Sequence, residues 1–136
     1  MKTLRGSKGV GVLFVESEKS LDSIVQLIYK QDEDTDLLLQ EYIPTDYDVR
    51  VIGLDNEVLG AMRRDVIDGD VRSNASLGAK TESIELTDIE KETSLKVAEL
   101  VGGDLVGVDL LPAKNRETEQ PYILEVNGTP GLGGIE

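Results

Sequence analysis

The 136-residue sequence contains no cysteine and no histidine. The first absence excludes disulfide frameworks, thiolate zinc sites and cysteine nucleophiles, and the second excludes Ser-His-Asp triads and imidazole metal ligands. Any metal must therefore be held by oxygen. No apolar run approaches the roughly 20 residues of a membrane-spanning helix, and the opening Met1-Lys2-Thr3-Leu4-Arg5-Gly6 lacks the apolar stretch of a signal peptide. A cytoplasmic location without membrane attachment is expected. Basic residues are also scarce, 14 Lys and Arg against 27 Asp and Glu, for a net charge of −13. Such a balance repels a polyphosphate backbone, so no nucleic-acid partner is expected. General disorder is disfavoured, because 39% of the residues are hydrophobic and fall in periodic patterns.

Residues 10–15 follow Gly6, Gly9 and Gly11 and read as a short buried strand. Ser17 opens a helix in which Leu21, Ile24, Val25 and Ile28 share one face, and the acidic stretch 32–36 ends it. Residues 37–43 form a second strand, stopped by Pro44. Residues 48–54 and 58–62 flank the turn formers Asp55-Asn56-Glu57, a hairpin pattern, and 65–80 reads as loop. A capping box, Thr87-Asp88-Ile89-Glu90, starts a second helix with Ile89, Thr93, Val97 and Leu100 inward and Gly102-Gly103 as its stop. The last two strands, 105–111 and 121–127, are joined by the polar loop 114–120 and followed by a glycine-rich tail. Strands in hairpins with interspersed helices indicate an α+β fold.

Closing the last hairpin symmetrically about Glu117 sets Asp109 opposite Glu125, with Asn127 on the same face as residues 107, 111 and 123. Val108, Leu110, Tyr122, Leu124 and Val126 then form the core face. A register shifted by two residues fits the loop as well, and a solvated face of scattered acids is the plain alternative. Opposed carboxylates repel by up to roughly 1 kcal/mol, and a divalent cation reverses that sign. Asp109→Asn is accordingly expected to raise metal-free stability slightly, and the donor types suit magnesium or manganese.

The glycine loop Gly6-Ser7-Lys8-Gly9-Val10-Gly11 matches neither common phosphate-binding fingerprint; its amides can cradle phosphate oxygens, or it can be an ordinary turn. Lys2, Arg5 and Lys8 surround it, and Arg50, Arg63, Arg64 and Arg72 fall in the middle third. That placement suits a polyphosphate, with charge balancing as the alternative. Glu41 ends the apolar run 37–43, where exposed backbone can pair with a flat heterocycle or simply edge the core.

In order and spacing, these segments resemble the ATP-grasp superfamily, and within it the RimK-type ATP-dependent alpha-L-glutamate ligases. The resemblance rests on Lys2, the glycine loop, Leu39-Gln40-Glu41-Tyr42-Ile43, Asp48-Val49-Arg50, Gly69-Asp70-Val71-Arg72-Ser73-Asn74, Gly107-Val108-Asp109-Leu110 and Leu124-Glu125-Val126-Asn127-Gly128-Thr129-Pro130-Gly131-Leu132. It implies antiparallel sheets with packed helices, residues 1–43 being a remnant of a first lobe and 44–136 a second lobe. It further implies that Lys2, Gly6, Ser7, Gly9 and Gly11 contact ATP phosphates, that Gln40, Glu41 and Tyr42 line the adenine pocket, and that Asp48 sits near the ribose. Arg72, Ser73 and Asn74 would face the phosphates, with Arg72 and Asn74 acting on the reacting carboxylate. Asp109, Glu125 and Asn127 would hold two Mg2+ or Mn2+ ions. The implied reaction converts a carboxylate to an acylphosphate with ATP, and an amine such as that of glutamate then forms the amide. The carboxylate acceptor would be a protein C-terminus or a small molecule. Relative to that family the chain looks truncated at both ends, so low ligase activity and self-association into a homo-oligomer through uncovered strand edges are expected.

Overall fold

The computed structural model describes residues 1–4, 12–66 and 80–131. Gly6, Ser7, Gly9, Gly11, Arg72, Ser73 and Asn74 lie outside the described residues. The chain divides into two compact units, Met1–Tyr42 and Ile43–Glu136. No helix among the described residues is long and apolar enough to cross a membrane.

The first unit holds β1 (Lys2–Thr3), α1 (Glu18–Gln31) and β2 (Leu37–Leu38). Ser17 caps α1 as its position suggests, accepting from the Ser20 N–H while the Ser20 hydroxyl accepts from the Ser17 N–H. Leu21, Ile24, Val25 and Ile28 are half-buried, the expected apolar stripe. Two strand expectations are corrected. Between residues 12 and 15 only Val12 makes a bridge, to Lys2, and the ladder begun at residue 37 ends at Leu38. A strand lasts as long as its partner, and β1 is two residues long.

Among the described residues the second unit holds a five-stranded sheet in the order β5-β4-β3-β6-β7, every neighbouring pair antiparallel. Its strands are β3 (Tyr47–Leu54), β4 (Glu57–Asp65), β5 (Thr81–Ser83), β6 (Leu105–Leu111) and β7 (Tyr122–Asn127), with α2 (Asp88–Val101) between β5 and β6. Asp55 and Asn56 turn β3 into β4 with φ of 47° and 66°. Both central residues are left-handed, the geometry that matches strand twist and that Asp and Asn tolerate. β5 lies just after the expected loop 65–80, outside every expected element: Thr81–Ser83 pairs with β4, which itself runs through Asp65, and residues 67–79 of that loop lie outside the described residues. Three residues are too few to show a period in the sequence.

Val49, Val51, Val106, Val108 and Leu110 point to one side of the sheet and form the core with Ala98 of α2. The fully buried residues of α2 are Glu90, Ser94 and Ala98; of the expected stripe Ile89, Thr93 and Val97 are half-buried, with Val97 packed against the core, and Leu100, 75% exposed, is the one that departs. Small residues at 94 and 98 let the helix lie close to β3, where a Cβ added to Gly53 would come within 4.0 Å of the Ala98 Cβ. The N-terminal end can bury a carboxylate because Glu90 is fully paired. Its Oε2 accepts from the Thr87 N–H, and the Arg116 guanidinium bonds both oxygens at 2.8 and 2.7 Å.

On the opposite side of the sheet, Gly107 leaves room for the buried ring of Pro130, whose Cβ would lie 2.7 Å from a Cβ at position 107. A proline ring cannot swing aside as a flexible chain can. Gly107→Ala is therefore expected to lower stability by about 1–3 kcal/mol, measured as a shift in the urea midpoint; an unchanged midpoint would mean that the 128–131 segment moves freely.

Candidate functional site

The face of the second unit's sheet opposite α2 carries Asp48 and Arg50 from β3, Arg64 from β4, Asp109 from β6, and Glu125 and Asn127 from β7. Register brings them together: Asp48 opposes Arg64, Arg50 opposes Asp109, Asp109 opposes Glu125, and Gly107 opposes Asn127. A strict ladder from the Asp55-Asn56 turn would set Arg63 against Asp48. One unpaired residue, Leu59, lies between the pairs Gly53–Val58 and Ile52–Gly60 and advances the register, so Arg64 arrives there instead. Arg63 turns to the other face, where its guanidinium lies 4.0 Å from the Tyr47 ring centroid and 2.6 Å from Asp65.

The charged groups form a continuous chain. Arg64 makes a two-pronged pair with Asp48 at 2.6 and 2.8 Å and reaches Asp109 Oδ2 at 2.9 Å. Arg50 grips both oxygens of Asp109 at 2.7 Å each and lies 3.8 Å from Glu125 Oε1. Asn127 Nδ2 donates to the same Oε1 at 2.9 Å. The side chains of Asp48, Arg64 and Asp109 are about 95% buried, whereas that of Glu125 is half exposed. Burial alone pushes the Asp109 carboxyl up, but the Arg50 bonds and the Arg64 charge outweigh it and hold it below its ordinary value. Burial likewise lowers the Arg64 guanidinium, and Asp48 and Asp109 more than reverse this.

The predicted pairing of Asp109 with Glu125 is present, and it selects among the registers left open by the loop. Its expected energetics are corrected. Asp109 is not a repelled carboxylate but one already neutralised by two guanidinium groups, so Asp109→Asn is expected to weaken the metal-free fold. The expected facing is corrected beyond Asp109 as well. Leu124 is unpaired in β7, so Ile123, and not Leu124, opposes Leu110, and Tyr122 opposes Leu111. Tyr122 and Leu124, expected in the core, are exposed, β7 being the edge strand among the described residues. Arg64 was legible as a basic residue in the middle third, but its partners were not.

In the first unit Lys2 pairs with Leu38 and bridges to Val12. Gln40, Glu41 and Tyr42 are exposed and outside any strand, with the Tyr42 ring edge-on to Phe14 at 4.9 Å between centroids.

Asp109, Glu125 and Asn127 offer two carboxylates and a carboxamide, hard oxygen donors that suit Mg2+ or Mn2+. Asp109 Oδ1 takes one bond, from Arg50, among the described residues, so a lone pair remains for a cation. No group of three or more acidic side chains that could hold a metal gathers among the described residues, so further ligands would have to come from the carboxamide, from water or from a bound phosphate.

Residues 1–136 match the family of RimK-like ATP-grasp domains. A probable alpha-L-glutamate ligase of Aeromonas salmonicida is 35% identical over 138 residues, which cover all of this chain and 44% of that protein. One from Coxiella burnetii is 36% identical with the same coverage. The chain thus spans less than half the length of these relatives. Among solved structures, the D-alanine–D-alanine ligase of Bacillus anthracis superposes with a TM-score of 0.68 at 20% identity, over 96% of this chain and 43% of that one. The ATP-grasp ligase PsnB with its minimal precursor gives 0.58 at 24% identity, over 92% and 40%. Likeness at these identities is one of fold, and it agrees with the sequence match over the whole chain. The chain belongs to the RimK-like ATP-grasp family.

Proposed function

We propose that this chain carries the nucleotide- and metal-binding part of an ATP-dependent carboxylate–amine ligase. The observation that carries this reading is the facing of Asp109 and Glu125 across β6 and β7, with Asn127 beside Glu125, in a chain of this family. The relatives' description as probable alpha-L-glutamate ligases supports glutamate as the amine. In the reaction a carboxylate oxygen of the acceptor attacks the terminal phosphorus of ATP, and ADP leaves. The glutamate amine then attacks the acylphosphate carbon, giving the amide and inorganic phosphate. Mg2+ or Mn2+, two ions in this reading, would supply neutralising charge to the phosphate oxygens.

The chain's own work in such a transfer is charge placement and alignment rather than covalent catalysis, which is why a sequence without His or Cys suffices. Asp109, Glu125 and Asn127 are the metal-holding groups. Lys2, Gly6, Ser7, Gly9 and Gly11 are assigned to the phosphates, Gln40, Glu41 and Tyr42 to adenine, and Asp48 to the ribose side. Arg72, Ser73 and Asn74 are assigned to the phosphates, Arg72 and Asn74 also to the reacting carboxylate. For Asp48 the burial against Arg64 adds a second role, in holding the charged face together.

Calorimetric titration with manganese-ATP tests the reading. Glu125→Gln combined with Asn127→Ala should weaken binding by about tenfold or more, and a chelator should abolish it, because a chain of net charge −13 repels bare ATP. Equal affinity in wild type and double variant would sink the assignment. Exposed Leu38, Leu39 and Tyr42 in one unit, and Tyr122 and Ile123 in the other, also favour self-association, which light scattering would register as a mass above that of the single chain.

A further inference from the structure

Asp109 has more cationic partners than one carboxylate needs. Arg64 is already committed to Asp48 by a two-pronged, buried pair and still reaches Asp109 at 2.9 Å. Arg50 adds a complete second fork, 2.7 Å to each Asp109 oxygen, and lies within 3.8 Å of Glu125. The two arginines differ in surroundings: the Arg64 side chain is 6% exposed, while that of Arg50 is 18% exposed and adjoins the half-open Glu125. One guanidinium is fixed in the sheet, and the other borders solvent at the place where the carboxylates of the candidate metal site meet. Among the described residues, three carboxylates on this face, Asp48, Asp109 and Glu125, stand against two guanidinium groups, Arg50 and Arg64. Without Arg50, Asp109 would keep, among the described residues, only the guanidinium that Asp48 already engages, and Glu125 would lose the guanidinium 3.8 Å from it.

We infer that Arg50 is an internal counter-cation that occupies the metal site's carboxylates until a polyphosphate arrives, so that metal entry is coupled to nucleotide binding. The inference rests on the metal assignment above. In the resting state the Arg50 fork satisfies Asp109, and a divalent ion must displace it or share the site with a like charge. An incoming phosphate chain gives the guanidinium an alternative partner of the same bidentate geometry, and Asp109 is released to the metal. Arg50 is thus a positioning residue that acts through Asp109.

The test is Mn2+ binding to the 136-residue chain, measured by electron paramagnetic resonance with Mn2+ alone and then with inorganic triphosphate. Arg50→Met should bind Mn2+ alone about tenfold tighter than wild type, the effect of one unit charge on a divalent ion about 5 Å away even at the dielectric of water. Arg50→Lys keeps the charge but loses the fork, and should fall between the two. The gain in Mn2+ affinity on adding triphosphate should shrink in the same order. If Arg50→Met is unfolded by circular dichroism, Arg50→Lys carries the test: tighter Mn2+ binding than wild type supports the inference, and equal or weaker binding overturns it. Equal or weaker Mn2+ binding by a folded Arg50→Met, while Glu125→Gln weakens binding, would overturn the role of Arg50 and leave the metal site standing. Binding indifferent to Arg50→Met and to Glu125→Gln alike would overturn both.

Discussion

Replacing Arg64 by methionine is expected to cost about 3–5 kcal/mol of folding free energy, the usual result of removing one partner from a buried ionic group. Asp48 and Asp109 are each only 3% exposed, and Arg64 is the one cation the two share among the described residues. Its loss leaves Asp109 to Arg50 alone and takes from Asp48 the fork that holds both of its oxygens. Against a total stability of about 5–15 kcal/mol for a domain of this kind, the variant should show a large drop in urea midpoint. A loss below about 1 kcal/mol would mean that the two carboxylates can reach water by a small shift of β3 or β6.

The second large effect lies on the other side of the sheet, at the start of α2. Arg116→Met strips Glu90 of both charged bonds and leaves one N–H, from Thr87, on a carboxylate that is 1% exposed. Because Arg116 is itself partly solvated, the expected cost is smaller than for a wholly buried pair, about 2–3 kcal/mol. It should carry a pH signature. Burial raises the Glu90 carboxyl, but the Arg116 bonds and the Thr87 N–H bring it below its ordinary value in the folded chain. A depressed folded value means that this contribution is fully present above the unfolded carboxylate pKa of about 4.3. It is lost as pH falls below that point and through the folded value. The deficit of Arg116→Met relative to wild type should therefore be constant near pH 6 and shrink progressively as pH falls below about 4.3 toward pH 3. A deficit that stays constant over that interval would show that Arg116 stabilises by packing alone.

The elements that could be read ahead are those whose signals are local. Ser17 and Thr87 announce their helices through side chains that bond the backbone three residues on, and Gly102 ends α2 at φ 71°, where a side chain would be strained. The Asp109–Glu125 pairing follows from the midpoint of the hairpin loop, yet the ladder next to the loop, Leu111–Tyr122 and Leu110–Ile123, runs one residue out of that register, and the unpaired Leu124 restores it at Asp109. What escaped depends on partners distant in sequence. A capping box shows that Glu90 is near a helix start, but not that Arg116, 26 residues on, permits its full burial while Ile89, Thr93 and Val97 stay half-buried. Nor does a hairpin pattern show an unpaired residue. Leu59 decides whether Arg63 or Arg64 meets Asp48, and neither composition nor period distinguishes them.

Those two unpaired leucines bear on how the chain can change length. Dropping one residue from an ordinary strand turns all that follow to the opposite side, and the fold is usually lost. Leu124 is different, because Asp109 already opposes Glu125 and Leu110 already opposes Ile123 on either side of it. Its excision would close the ladder with every cross-strand neighbour kept, and the same holds for Leu59 between Val58 and Gly60. Relatives one residue shorter at these points can present the same set of charges, so a gap opened there in an alignment leaves Asp48, Arg64, Asp109 and Glu125 in correspondence, whereas a gap placed a few residues away would assign their roles to the wrong side chains.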